Sequence, residues 1–349
     1  MNRSTNIAEP RNARGFTMLE ASVVLAITAI AASVAVPIFQ RVGCSAARTQ
    51  SAANLAVLST AHNMYALDFS DRQLTICPDP LGAYGGDWAA MQAAEGCVPT
   101  VLLGNEGTGE PVSIGVNCTG LPGSNTAWLT PFSFAPASLK GGFRLGNVRA
   151  LNQYVNGRFL DSTFYAPDDV SVSRRAWRRI GEGADYDESV FTESTYTMSP
   201  AAMFDPRVLG DGPGSNYVSP DSFANGYRSP TVSQCQYPAL KTRLMEMWCM
   251  EGAPALTNPN FSGASVPYMA NHVFFGRSLA AYFDGSVRII TRRETQQAET
   301  RAHLKLWNRY TPLGSNGYFC QFSADFWESS SAHFLTSDGI RGRDVIELP

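Results

Sequence analysis

The chain is predicted to be an α+β protein: a long N-terminal helix, membrane half plus amphipathic half, packed on an antiparallel β-sheet head with large loop-rich insertions. Three observations carry this. An uncharged apolar run, Ala21 to Phe39, passes into a segment whose apolar residues recur at helical spacing. Asp284-Gly285 stands between two apolar runs, the signal of a β-hairpin. Between these lie stretches dense in Gly, Pro, Ser and Asn.

The first element is the apolar helix. Its 19 residues without an ionisable group, Ala21 to Phe39, cover roughly 28 Å as a helix, close to the ~30 Å hydrocarbon core of a bilayer. Glu20 stands at the mouth of this segment, five residues past Gly15. An unpaired carboxylate there costs up to a few kcal/mol in lipid, so Glu20 needs a partner. A chain cut after Gly15 would supply one, the free amine of Phe16, about one helical turn away in the same helix or in a neighbouring subunit.

Gly-Phe-Thr-Met-Leu-Glu, residues 15 to 20, resembles the processing site of type IV pilins and type II secretion pseudopilins. The resemblance implies cleavage between Gly15 and Phe16 by a membrane-embedded prepilin peptidase, which also methylates Phe16. It implies that Glu20, then the fifth mature residue, is needed for assembly with other pilin or pseudopilin subunits. Pro37 matches a helix-kinking proline of that family. An ordinary signal peptide would use Ser33-Val34-Ala35 as its cut site, but the apolar run is longer than such a core and leaves Glu20 without a purpose. Arg3, Arg11 and Arg14 precede the span and favour a cytoplasmic N-terminus. The expected placement is therefore a single-pass inner-membrane protein with its head exported.

The helix is expected to run to about Asp68. Val42, Ala46, Ala53, Val57, Thr60, Met64 and Leu67 recur at helical spacing, with Arg41, Arg48, Gln50 and Asn54 between them. The second half should pack one face on the globular head, with a loosening near Pro37 and Gly43. His62, inside this pattern, reads as a surface or packing residue. The resulting divisions are a leader (1–15), a transmembrane helix (16–39), an amphipathic stalk helix (40–70) and an exported head (71–349).

In the head, Thr75 to Lys140 reads as loops with short elements, among them a short helix from Gly86-Asp87-Trp88 to Ala94. Strands are expected at Phe143-Arg144-Leu145, at Thr195-Tyr196-Thr197-Met198 and over Leu240 to Met250, with a helix around Trp177. Residues 209 to 230 read as another loop. Ser278–Phe283 and Ser286–Ile290 should form a hairpin joined by Asp284-Gly285 in a two-residue type I′ turn. Thr291 to Tyr310 looks helical, and a short strand is expected near Val345-Ile346.

Composition narrows the function. Charged residues make up 16% of the chain and net charge is −3, which fits a loop-rich exported body rather than a disordered one. No nucleic-acid partner is indicated, because such a partner needs a basic surface. Arg174, Arg175, Arg178 and Arg179 surround Trp177 as one basic cluster, read as a solvated face. The seven cysteines, Cys44, Cys77, Cys97, Cys118, Cys235, Cys249 and Cys320, lack close Cys-x-x-Cys spacing, so no zinc site is indicated. An exported chain permits disulfides, with bridges among Cys77, Cys97 and Cys118 or between Cys235 and Cys249 as candidates, and Cys44 left over.

The second half carries a further resemblance, to prepilin-like proteins of planctomycete type that end in a histidine, nine residues and Asp-Gly. Here His272 precedes Asp284-Gly285 by eleven residues. Phe164-Tyr165-Ala166-Pro167-Asp168-Asp169 resembles that group's Cys-Pro-Ser-Asp segment, with Ala166 in place of cysteine. Thr195-Tyr196-Thr197-Met198 resembles its Ser-Tyr-x-Met segment, and Tyr237 to Glu246 its strand before the histidine loop. Taken alone, Asp284-Gly285 reads as turn chemistry and His272 as a packed or capping histidine.

No catalytic motif is present: there is no Gly-x-Ser-x-Gly, no His-Glu-x-x-His and no phosphate loop. No cofactor is expected. Some pseudopilins hold calcium, and the oxygen-rich candidates here are Asp168-Asp169, Asp185, Asp187 and Glu188, none in an EF-hand pattern. The expected function is a non-enzymatic structural subunit of a type IV pilus or secretion pseudopilus. The alternative is a membrane-anchored exported binding protein or enzyme that keeps the N-terminal cassette as an anchor.

Overall fold

The computed structural model describes residues 18–96, 101–105, 111–114, 126–134, 141–167, 173–182, 193–210, 216–246, 277–291, 306, 311–312 and 333–346. The chain forms two compact units, Met1–Ala46 and Ala47–Pro349. In chain order the helices are α1 (Met18–Asp68), α2 (Trp88–Glu95), α3 (Thr126–Leu129), α4 (Arg149–Asn152) and α5 (Ser173–Gly181). The strands are β1 (Val101–Asn105), β2 (Pro111–Ile114), β3 (Tyr196–Met198), β4 (Leu209–Gly210), β5 (Asn216–Tyr217), β6 (Thr242–Glu246), β7 (Arg277–Tyr282) and β8 (Val287–Thr291).

In the first unit α1 is helical through Pro37 and Gly43 without a break. Among the described residues no helix is long and apolar enough to cross a membrane. Most side chains of the run 21–39 lie outside the described residues.

The second unit is built on a four-stranded antiparallel sheet in the order β3-β6-β7-β8. β6 is buried at all five positions, as expected of a central strand covered on both faces. Two small hairpins, β1–β2 and β4–β5, stand apart from this sheet. The part of α1 from Ala47 to Asp68 belongs to this unit. Leu55, Leu58, Ala61, Tyr65 and Ala66 bury one face of it in the core. Burial of each large side chain there stabilises the unit by about 2 kcal/mol. α1 stops where Ser70 and Asp71 take left-handed conformations, and the Asp71 N–H reaches back to the Ala66 carbonyl at 2.7 Å.

Several expectations hold in position. α2 follows Asp87, whose carboxylate caps the helix by accepting from the N–H groups of Ala89 and Ala90. β3, β6, the β7–β8 hairpin and the Trp177 helix fall where the pattern placed them.

Others are corrected. Phe143-Arg144-Leu145 is no strand; Gly142–Arg144 is a single 3-10 turn with every side chain buried. The Gly142 and Phe143 N–H groups bond to the carbonyls of Thr130 and Pro131, so these residues are held by a loop instead of a ladder. The hairpin turn is not the two-residue type I′. Gly285 alone has a positive φ, 85°, and its N–H bonds to the Tyr282 carbonyl at 2.9 Å. Phe283-Asp284-Gly285 is therefore a three-residue loop with glycine at the left-handed position. Val345-Ile346 forms no strand, although the Asp344 N–H bonds to the Leu240 carbonyl at 2.8 Å. Cys77 and Cys235 are free thiols, and their candidate partners Cys97, Cys118 and Cys249 lie outside the described residues. Cys77 sits inside the apolar core. The expected helix over Thr291 to Tyr310 lies, apart from its first residue and Leu306, outside the described residues.

Candidate processing and assembly surface

The predicted processing residues fall at the start of α1. Gly15 and Phe16 lie outside the described residues; Glu20 and Pro37 lie in α1 with side chains outside them. The described part of α1 in the second unit carries two different faces. Toward the sheet it presents polar groups among the apolar ones. Ser51 Oγ bonds to Glu246 Oε1 and lies 2.8 Å from the Tyr196 hydroxyl. Glu246 Oε2 accepts the Leu279 N–H at 2.8 Å, which ties α1, β6 and β7 together through one carboxylate.

Further along the helix, the Arg243 guanidinium of β6 donates to the His62 carbonyl at 3.1 Å, to Asn63 Oδ1 and to Gln73 Oε1 at 3.2 Å. It also lies over the Phe283 ring. Burial lowers its pKa to about 10. His62 is fully buried, and neither ring nitrogen has a hydrogen-bond partner. Burial, then the Arg243 charge, hold its pKa well below the ordinary histidine value.

The opposite face is left bare. Val57 (46%), Met64 (47%), Leu67 (83%) and Phe69 (45%) are exposed large apolar side chains. Ala53, Val57, Thr60, Met64 and Leu67, the residues whose recurrence marks the helix in the sequence, all face solvent in the second unit. The packed face is Ser51, Asn54, Leu55, Leu58, Ala61, His62, Tyr65 and Ala66. Polar residues at 51, 54 and 62 hide this face from a hydrophobicity count.

The sheet gathers the segments that share the second resemblance. β3 carries Tyr196-Thr197-Met198 and pairs with β6; β6 pairs with β7, whose loop to β8 holds Asp284-Gly285. Phe164-Tyr165-Ala166 is pinned beside β3, because the Phe164 carbonyl accepts from the Thr195 N–H and from Ser194 Oγ. The Ala166 N–H donates to Thr195 Oγ1 at 2.6 Å. Asp284 acts locally: its Oδ1 accepts from the N–H and hydroxyl of Ser286, and Arg288 lies 3.6 Å from its Oδ2. His272 lies outside the described residues, as do Asp168, Asp169, Asp185, Asp187 and Glu188. Among the described residues no group of three or more His, Cys, Asp or Glu side chains is placed to hold a metal ion.

One polar cluster escaped the sequence reading. Lys241 Nζ donates to Asp344 Oδ2 (2.9 Å), Thr336 Oγ1 (2.6 Å) and Ser199 Oγ (3.0 Å), and the ion pair is fully enclosed. Asp344 also accepts from the Thr242 N–H and from the Thr336 hydroxyl, and Thr242 Oγ1 bonds to His333 Nδ1. Burial pushes the Asp344 carboxyl up, but Lys241, His333 and the Thr336 hydrogen bond outweigh it and hold it below its ordinary value. Fully enclosed, this group joins the segment 333–346 to β6. Lys241 and Asp344 stand 103 residues apart, and nothing local in the sequence pairs them.

The N-terminal residues carry the prepilin-type cleavage and methylation signature. Residues 10–36 match the family described as the prokaryotic N-terminal methylation motif. No curated protein and no solved structure matches the chain.

Proposed function

We propose that the chain is a prepilin-like structural subunit, cut after Gly15, N-methylated at Phe16, and assembled into a type IV pilus or type II secretion pseudopilus. The match of residues 10–36 to the methylation motif carries this reading. The partners are the prepilin peptidase and other pilin-like subunits, and the site of action is the inner membrane with the head exported. The subunit performs no catalysis and needs no cofactor; the chemistry belongs to the peptidase.

The mechanism is electrostatic registration. Cleavage creates an amine at Phe16, one helical turn from the Glu20 carboxylate. Apolar helices associate laterally, and a carboxylate buried among them without a cation is strongly penalised. Only the stagger that pairs Glu20 with an N-terminal amine, its own or a neighbour's, is stable, so the charge specifies register. The bare apolar stripe of Val57, Met64 and Leu67 supports this reading, since a contiguous exposed apolar face on a soluble head marks a contact surface.

Mass spectrometry of the mature N-terminus tests the processing step. A chain that begins at methylated Phe16 is expected; one that begins at Val36 identifies ordinary signal cleavage and removes the proposal. Glu20→Val then tests register: processing should continue while incorporation into filaments is lost.

A further inference from the structure

We propose that the buried guanidinium of Arg243 binds a chloride ion between helix α1 and β6. Among the described residues the buried cations are Arg144, Lys241 and Arg243. Arg144 is paired with Glu193 and Lys241 with Asp344. Arg243 has no such partner among the described residues. Its three nitrogens donate to Gln73 Oε1, Asn63 Oδ1 and the His62 carbonyl, all neutral acceptors. Phe283 lies against the guanidinium, its ring centroid 5.2 Å away. The Cys235 thiol and the Asp71 carboxylate act on it at longer range, and Asp71 Oδ2 already accepts the Ser233 N–H at 2.9 Å. A fully buried charge is strongly penalised until a counter-charge compensates it.

The groups around this charge have hydrogens to give. Ser59 Oγ, both ring nitrogens of His62 and Gln73 Nε2 are buried without a hydrogen-bond partner. Ser59 is 3% exposed, and His62 and Gln73 are fully buried. Ser59 and His62 lie one turn apart on the packed face of α1. Gln73 is held to Arg243 Nε through its Oε1 at 3.2 Å, which puts its Nε2 beside the guanidinium. Arg243 is also the charge that acts on the His62 ring. A hydroxyl, an imidazole N–H, an amide NH2 and the unused N–H groups of the guanidinium form one set of donors. Buried donors without acceptors are costly, and native cores seldom leave several together. A water molecule would accept from some of them, but it brings hydrogens of its own and leaves the charge uncompensated. Chloride accepts from all and cancels the charge. Because these residues are enclosed, the ion must be small and monatomic. It would join α1, the segment after it and β6 at one point.

This inference is independent of filament assembly and is tested on the full chain in detergent. Equilibrium dialysis against labelled chloride, with gluconate holding ionic strength constant, should find the ion bound in equimolar amount. Bromide should displace it and gluconate should not. Denaturant unfolding reads the same binding by linkage. Once chloride exceeds its dissociation constant, the folding constant should grow about tenfold for each tenfold rise in chloride. Ser59→Ala removes a hydroxyl that no described group engages, so a purely structural role leaves chloride binding unchanged. Here it should weaken chloride binding by about tenfold, the worth of one hydrogen bond to a charged group. Arg243→Met should abolish binding and flatten the chloride dependence of unfolding. If that variant does not fold, wild type and Ser59→Ala still decide. Absence of bound chloride overturns the proposal, as does unaltered chloride affinity in Ser59→Ala. So does equal stability in chloride and gluconate, the result that a water molecule in place of the ion would give.

Discussion

Arg243 and Glu246 both reach helix α1, although they stand three positions apart on β6. In a regular strand an odd separation sends two side chains to opposite faces. The register of β6 against β7 slips between Thr242 and Leu244, which leaves Arg243 as the extra residue of a bulge. A bulge re-aims the side chain it carries. The irregularity thus turns a cation onto α1 and the segment just after it, where Asn63, the His62 carbonyl and Gln73 receive it.

The Lys241–Asp344 pair should be costly to break and cheap to replace. Lys241→Met strands a carboxylate in the core and is expected to destabilise the head by about 3–5 kcal/mol, as is Asp344→Leu. The double variant should recover most of that loss. Denaturant unfolding of the full chain in detergent measures all three, and an unchanged midpoint in the single variants would refute the lock. The Asp344 carboxyl is held below its ordinary value. Its share of stability is therefore present above that ordinary value and disappears as pH falls through the folded-state value.

His62 sets a milder acid sensitivity. Its folded-state pKa lies below 6.5, so below about pH 6.5 the unfolded chain binds a proton that the folded chain refuses. Stability should fall with decreasing pH from that point, by at most about 1.4 kcal/mol per pH unit. Thermal melting between neutral and mildly acidic buffers, compared with His62→Phe, reads the effect. The variant should show a flatter profile; identical slopes would assign the sensitivity to another group.

Two glycines should respond differently. A Cβ at Gly285 meets no atom within 4 Å, so only its φ of 85° opposes a side chain. Gly285→Val should cost about 1–2 kcal/mol, and Gly285→Asn less. At Gly86, φ is 78° and a Cβ would stand 2.1 Å from Asp221 Oδ1, the acceptor of the Tyr227 hydroxyl. Gly86→Val should therefore cost more than Gly285→Val in the same unfolding assay. The reverse order would mean that Asp221 yields freely.

The two faces of α1 separate stability from assembly. Leu58→Ala opens the core and should cost about 2–5 kcal/mol. Met64→Glu/Leu67→Glu, on the bare face, should leave unfolding within about 0.5 kcal/mol of wild type. If the stripe is a subunit contact, this double variant is processed normally yet missing from sheared filaments. Normal incorporation would show that the stripe serves some other end.

The sequence by itself determined the processing signature, the extent of α1, the capped helix after Asp87 and the hairpin at Asp284-Gly285. Each is a local code: a contiguous motif, a period of 3.6, a side chain that caps its own helix, or a glycine at a positive φ. It also marked the apolar recurrence on α1, but tertiary structure decided which face packs, because the buried face carries Ser51, Asn54 and His62 satisfied or enclosed by the sheet. Tertiary structure alone joined Lys241 to Asp344, turned Arg243 onto α1, and brought the segments around Tyr165, Tyr196, Glu246 and Asp284 into one sheet and its border. Those pairings depend on long-range register and desolvation, and residues far apart in a chain carry no local trace of either.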